Sequence, residues 1–251
     1  MSESARAKRA VVITGAAGGI GSLVVARLGE RWAIRATDVR AGDGIEALDV
    51  TDAARCPELF AGADAVVHLA ADPDPGADWS ALRGPNVEGA YAVAAAAREC
   101  GVRRLVLASS LQAVSAPDDG RQRRAQDPPR PANLYGATKA WAEALGSWVA
   151  ATSRTSVIAL RIGYFSERPP AGEEASARNL SAWLSRGDCV RLIQAAVECE
   201  RDGFTVLNGI SANRHRIAEL GETERAVGYA PVDDAWRGAP PAGFTRRRRT
   251  R

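Results

Sequence analysis

The sequence predicts an α/β fold: a doubly wound parallel sheet with helices on both faces. Three observations predict it. Short apolar, β-branched runs alternate with alanine-rich stretches of helical periodicity, the pattern of successive β-α-β units. Within the runs apolar residues follow one another without alternation, as strands covered on both faces require. The 251 residues, 46% hydrophobic and 25% charged, can bury one sizeable core.

In chain order, strand-like runs lie at 10–14, 32–37, 45–48, 65–69, 104–108, 155–161 and 204–208. Helical patterns lie at 19–29, 53–60, 86–100, 133–152 and 188–200, and the proline-bearing stretches 73–78 and 117–131 read as surface loops. The expected organisation is a flexible N-terminus (1–9), a sheet-bearing core (10–163), a smaller region with a returning strand (164–244), and a disordered basic tail (245–251). That tail carries five arginines; without them the net charge of +3 becomes −2, so the fold itself is not basic. Like charges at a terminus repel and stay solvated, which argues against a nucleic-acid partner. No run of about eighteen apolar residues exists and residues 1–9 hold no apolar signal core, so a cytoplasmic protein without a membrane partner is expected. Cys56, Cys100, Cys189 and Cys199 show no C-x-x-C spacing, and only His68 and His215 could join them. Reduced, partly buried thiols and no metal are the expectation.

The first strand runs into Gly15-Ala-Ala-Gly18-Gly19-Ile20-Gly21, which opens a helix. A glycine triplet alone is weak, but a strand before it and a helix after it give it meaning. Gly15 permits the tight turn, Gly18 a close approach of backbone to a pyrophosphate, and Gly21 close helix–strand packing. The helix N-terminus offers N–H groups to phosphate. Asp38 ends the second strand and suits the two ribose hydroxyls of NAD; Val39 flanks it. Arg40 could instead neutralise the 2′-phosphate of NADP, so NAD is expected and NADP is the alternative. Asp49 and Val50 are placed to flank an adenine, and Leu69, Ala70 and Ala71 offer small residues where a cofactor could cross the strand end.

Ser109 and Ser110 stand near the end of the fifth strand, and Tyr135 and Lys139, four apart, share a helix face. A phenol with a pKa near 10 is a poor base at neutral pH. A nearby ammonium would favour the phenolate, letting Tyr135 exchange a proton with an alcohol or carbonyl while Ser110 holds the reacting oxygen.

These motifs, with His68-Leu-Ala-Ala71 and Asn86, resemble the extended short-chain dehydrogenase/reductase family (NAD-dependent epimerase/dehydratase-like), from about residue 10 to 230. The resemblance implies a Rossmann sheet, with 10–163 a dinucleotide-binding core and 164–244 a small C-terminal substrate-binding region, a Ser110-Tyr135-Lys139 triad, a ribose contact for Lys139, a water-ordering role for Asn86 near the lysine, and a structural His68. It places Ile162 against the cofactor. Leu107-Ala-Ser-Ser110, Arg161-Ile-Gly163, residues 178–185 and residues 204–211 are most similar to uronate dehydrogenase-like members. There Arg178 matches the position that would clamp a substrate carboxylate. Leu111 and Gln112 stand where those members carry Asn-His, and Tyr164-Phe165 follow Gly163 where they carry serine. These changes make the pocket more apolar. The implied substrate is a uronic-acid-like sugar or a less polar secondary-metabolite alcohol or ketone. The alternatives are a non-redox epimerase or dehydratase with tightly bound NAD, and a dinucleotide-sensing regulator. The former wants more chain after Gly163; the latter generally lacks the tyrosine or lysine. Trp141, Leu145 and Trp148 form a helical stripe beside the alanine-rich segment 86–100, which suggests a homodimer through 86–100 and 133–152.

Overall fold

The structure, a computed structural model, describes residues 8–116 and 119–237. The tail 245–251 and residues 1–7 lie outside them. Nine strands occur among the described residues: β1 (Ala10–Thr14), β2 (Ala33–Asp38), β3 (Ile45–Ala47), β4 (Ala65–His68), β5 (Arg104–Ser110), β6 (Ser156–Ile162), β7 (Tyr164–Phe165), β8 (Trp183–Leu184) and β9 (Phe204–Gly209). The helices are α1 (Gly19–Leu28), α2 (Arg55–Phe60), α3 (Trp79–Leu82), α4 (Gly89–Glu99), α5 (Leu134–Thr152), α6 (Ala177–Ala182), α7 (Arg186–Glu198) and α8 (Gly221–Val227). Seven strands form one parallel Rossmann-like sheet in the order β3-β2-β1-β4-β5-β6-β9; β7 and β8 pair apart from it. The order reverses between β1 and β4, and the crevice outside the carboxyl ends of those strands is where such sheets hold ligands.

Successive apolar residues of the strands point to opposite faces of the sheet and build two cores. Val11, Ile13, Val67, Val106, Ile158 and Leu160 meet α1 and α7 on one face. Val12, Val66, Leu105, Leu107, Val157 and Ala159 meet α2, α4 and α5 on the other. Each fully buried side chain of this kind contributes about 1.5–3 kcal/mol.

Several expectations are corrected. The helix expected over 86–100 is α4 over Gly89–Glu99, but its expected first turn belongs to a π-helical turn, Arg83–Glu88, that hands over to α4 at Gly89. β5 runs on to Ser110 rather than stopping at 108, which puts both serines on the strand end. Of the stripe Trp141-Leu145-Trp148 only Leu145 is buried; Trp141 is 41% exposed, and Trp148 stacks on Tyr91 with centroids 6.3 Å apart. The loop 117–131 is more than surface: Arg123 and Ala125 are buried, and Arg123 N–H donates to the Ile217 carbonyl at 2.8 Å.

Candidate active site

One cleft of about 510 Å³ opens at the carboxyl ends of β1, β4, β5 and β6. Its dinucleotide wall is the turn between β1 and α1. Gly15 has φ +73°, a left-handed conformation, and a Cβ there would meet Ala70 N at 2.6 Å; a Cβ on Gly21 would lie 2.1 Å from the Gly15 carbonyl oxygen. The protein's own packing therefore demands both glycines. Gly18 and Gly19 differ: a Cβ would meet only the Gly15 oxygen at 3.2 Å and Phe165 Cε1 at 3.6 Å, respectively. No side chain caps α1 at Gly18. Bare backbone and an uncapped helix N-terminus facing open space fit a pyrophosphate.

Asp38, 7% exposed, closes this turn from β2: its Oδ2 accepts from Ala17 N–H at 3.0 Å and its Oδ1 from Arg40 N–H at 3.0 Å. The Arg40 guanidinium lies 3.5 Å from Asp38 Oδ1 and donates to the Ala17 carbonyl at 3.0 Å. Val39 is 66% exposed beside them. Asp49 and Val50 do not line the cleft. The Asp49 carboxylate accepts from Thr51 N–H and hydroxyl at 2.9 and 2.7 Å, and Val50 is buried.

Ser110, Tyr135 and Lys139 line the cleft together with Gly15, Gly18, Gly19, Ile20, Gly21, Leu69, Ala71, Ser109 and Ile162. Ala70 is outside the lining, held against Gly15. Asn133 caps α5 and fixes where Tyr135 stands: its Oδ1 accepts from Gly136 N–H at 2.7 Å, a cap of about 1 kcal/mol. Lys139 Nζ lies 5.4 Å from the centroid of the Tyr135 ring. Burial pushes the Lys139 ammonium down to about 8. Burial also pushes the Tyr135 phenol up from 10; a hydrogen bond with Ser110 opposes this, and the Asp72 charge adds to it. Burial thus sets the direction of the Tyr135 shift, opposite to the depression expected from its lysine. His68, at the end of β4, has Nδ1 2.8 Å from Thr14 Oγ1; burial and then the Lys139 charge push its pKa down to about 3, so it stays neutral.

Asn86 is placed differently from expectation. It is buried outside the cleft lining, accepting from Asp72 N–H at 2.7 Å and donating to the Asp72 carbonyl at 3.0 Å and Thr138 Oγ1 at 3.2 Å. Its amide ties the loop after β4 to α5 through Asp72 and Thr138. The Ser109 hydroxyl likewise turns away, donating to Glu143 Oε1 at 2.6 Å.

The opposite wall holds Leu111, Gln112, Gly163, Tyr164, Phe165 and Arg178. Gln112 Oε1 accepts from Asn133 Nδ2 at 3.2 Å, and the Tyr164 hydroxyl donates to Glu174 at 2.8 Å. Sequence reasoning missed Pro73, Pro75, Ala108, Asn179, Ala182 and Ile217, which also line it. Pro73 and Pro75 sit in the loop 73–78, read as surface, which follows a parallel strand, where such sheets bind ligands. Among the described residues no cluster of His, Cys, Asp and Glu could hold a metal, and no helix is long and apolar enough to cross a membrane.

A glycine cradle at the switch point and a tyrosine–lysine pair in one cleft define a class, the nicotinamide-dependent oxidoreductases on a Rossmann sheet. The NAD dependent epimerase/dehydratase family profile matches residues 11–192. The chain is 37% identical to an L-arabinose 1-dehydrogenase (NAD(P)(+)) of Haloferax volcanii, across 90% of this chain and 97% of that protein. It is 31% identical to an NAD-dependent glucose-6-phosphate dehydrogenase of the same organism, across 90% and 94%. A crystal structure of uronate dehydrogenase from Agrobacterium tumefaciens, a tyrosine-to-alanine mutant complexed with NAD, superposes with a TM-score of 0.82 at 27% identity, covering 90% of this chain and 86% of that one. The chain belongs to the NAD dependent epimerase/dehydratase family and is an NAD(P)-dependent oxidoreductase of its extended short-chain dehydrogenase/reductase type.

Proposed function

We propose that this enzyme oxidises the anomeric carbon of a free sugar, with Tyr135 as the acid/base. The observation that carries the reading is that Ser110, Tyr135 and Lys139 line the same cleft as the glycine turn. A nicotinamide bound there supplies the hydride acceptor, or the donor in reverse. Gly18, Gly19 and the α1 N-terminus would hold its pyrophosphate, Asp38 a ribose, and Ile162 and Ala71 the wall beneath the ring. Tyr135 takes the proton of the anomeric hydroxyl. Lys139, charged below pH of about 8, favours the phenolate that must form. Ser110 donates to the reacting oxygen and holds it in line. NAD is preferred to NADP because Asp38 faces the turn, with Arg40 folded against it.

The similar enzymes named above act on sugars, which favours a sugar over an apolar alcohol or ketone here. Residues 10–163 serve the dinucleotide and 164–244 the substrate. We further read the protein as a homodimer through α4 and α5, where Tyr91 and Trp141 are 53% and 41% exposed. Four free cysteines suit a reducing cytoplasm. The test is a panel of aldoses, sugar phosphates and uronic acids with NAD and NADP, followed by absorbance. At least one should be oxidised, and Tyr135→Phe should lower kcat roughly 10²–10⁴-fold while NADH still binds. A fully active phenylalanine variant would remove Tyr135 from the chemistry.

A further inference from the structure

We propose that the buried ion pair Glu143–Arg161 is a positioning unit that aligns Ser110 with Tyr135, acting through the hydroxyl of Ser109. This rests on Tyr135 being the acid/base. Glu143 follows Tyr135 by eight residues and Lys139 by four, so the three share one face of α5. Its Oε1 accepts from Ser109 Oγ at 2.6 Å and from Arg161 Nε at 2.8 Å; its Oε2 accepts from Arg161 Nη2 at 2.8 Å. Ser109 and Arg161 are partners in the β5–β6 register, so one carboxylate grips both strands from the helix above them. Arg161 Nη1 reaches on to the carbonyls of Arg124, Ala125 and Asp127 at 3.4, 3.3 and 3.1 Å. Ser109, Glu143 and Arg161 are 2%, 4% and 1% exposed.

Cohesion alone does not account for this arrangement. Burying two charges costs about what their attraction returns, and apolar side chains of similar volume often hold as firmly. What a two-point guanidinium–carboxylate contact adds is direction. Apolar packing between α5 and β5 tolerates small slides and rotations of the helix; a fork with fixed geometry does not. Tyr135 belongs to α5 and Ser110 to β5. The register of those two elements decides whether their hydroxyls meet in the cleft that both residues line, where Ser110 opposes the upward push of burial on the Tyr135 phenol.

The alignment can be read without turnover. Ultraviolet titration of the cofactor-free protein, with Tyr135→Phe subtracted, gives the ionisation midpoint of that one phenol. Ser109→Ala, and the paired replacement Glu143→Gln with Arg161→Met, should each raise the midpoint. Each should also lower kcat about 10- to 100-fold, the scale of a misplacement near 1 Å. NADH affinity and, for the paired variant, thermal stability should stay near the parent's. On a Ser110→Ala background neither change should move the midpoint further, because the hydrogen bond they control is already gone. An unchanged midpoint and kcat in both variants, or equal shifts on the Ser110→Ala background, would overturn the proposal. Should the paired variant not fold, Ser109→Ala, the loss of one hydroxyl, decides alone. Midpoints that move as described in a protein that oxidises no sugar uphold the positioning and overturn the substrate.

Discussion

The two walls of the cleft are built by different means. The dinucleotide wall is mostly backbone: Gly15, Gly18, Gly19, Gly21 and Ala71, in one turn and one strand end. The facing wall is side chains from separate segments: Leu111 and Gln112 after β5, Tyr164 and Phe165 after β6, Arg178 and Asn179 on α6, and Ile217 before α8. A backbone wall admits almost no change, because a Cβ on Gly21 would sit 2.1 Å from a carbonyl oxygen that cannot move without the turn. A side-chain wall can be altered one residue at a time while the fold stands. This contrast accounts for relatives that share a nicotinamide and are named for arabinose, glucose 6-phosphate and uronate.

The sharpest way to break the contrast is within the first wall. Gly21→Ala should abolish detectable NADH binding and lower the melting temperature, since overpacking against backbone costs about 1–3 kcal/mol or more. Gly19→Ala, whose Cβ would meet nothing closer than Phe165 Cε1 at 3.6 Å, should keep the melting temperature and lose only NADH affinity. Fluorescence titration with NADH beside a thermal melt reads both. If Gly21→Ala bound NADH like the parent, the backbone wall would not be the rigid part.

Lys139 stands between the walls and tests them next. Its folded pKa of about 8 lies below the ordinary lysine value of 10.5. Between those values the unfolded chain binds more protons, so stability rises with pH across that window, by about 3 kcal/mol. Below pH of about 8 the fold carries the cost of a buried ammonium. Lys139→Met should therefore be more stable than the parent at pH 7, lose the rise between pH 8 and 10.5, and lose turnover. Urea unfolding at pH 7 and pH 10 measures this. A less stable variant at pH 7 would mean that neighbouring dipoles already offset the charge.

The same contrast explains what could be read in the sequence. The seven sheet strands were legible to within two residues because buried parallel strands leave continuous apolar runs. β5 was cut short only because its last two residues are serines. The glycine turn and the Tyr135-Lys139 spacing are local in sequence, so motif and geometry coincide. The π-helical turn at Arg83–Glu88 was not legible, since its apolar spacing blends with that of α4. α6, α8, β7 and β8 are short and depend on tertiary contacts. Ile217 reaches the cleft because Arg123, 94 residues earlier, binds its carbonyl, and nothing near position 217 announces that. Glu143 and Arg161 did leave a signal, a charge on a helix face otherwise buried and another amid the apolar residues of β6. The direction of the Tyr135 shift was misjudged because desolvation depends on burial, which spacing does not contain.

Arg178 carries the smallest expected effect and the finest distinction. It lines the side-chain wall on α6, and the relatives' named sugars differ in charge: arabinose is neutral, a sugar phosphate and a uronate are anionic. A guanidinium there should discriminate by charge, a charge-assisted hydrogen bond contributing about 1.5–3 kcal/mol. Arg178→Ala should therefore raise KM for anionic sugars roughly 10- to 100-fold and leave KM for neutral aldoses, and kcat for both, nearly unchanged. Equal losses on neutral and anionic sugars would make Arg178 a support for the wall rather than a reader of charge. The wall's selectivity would then rest on the shape set by Leu111, Tyr164 and Phe165.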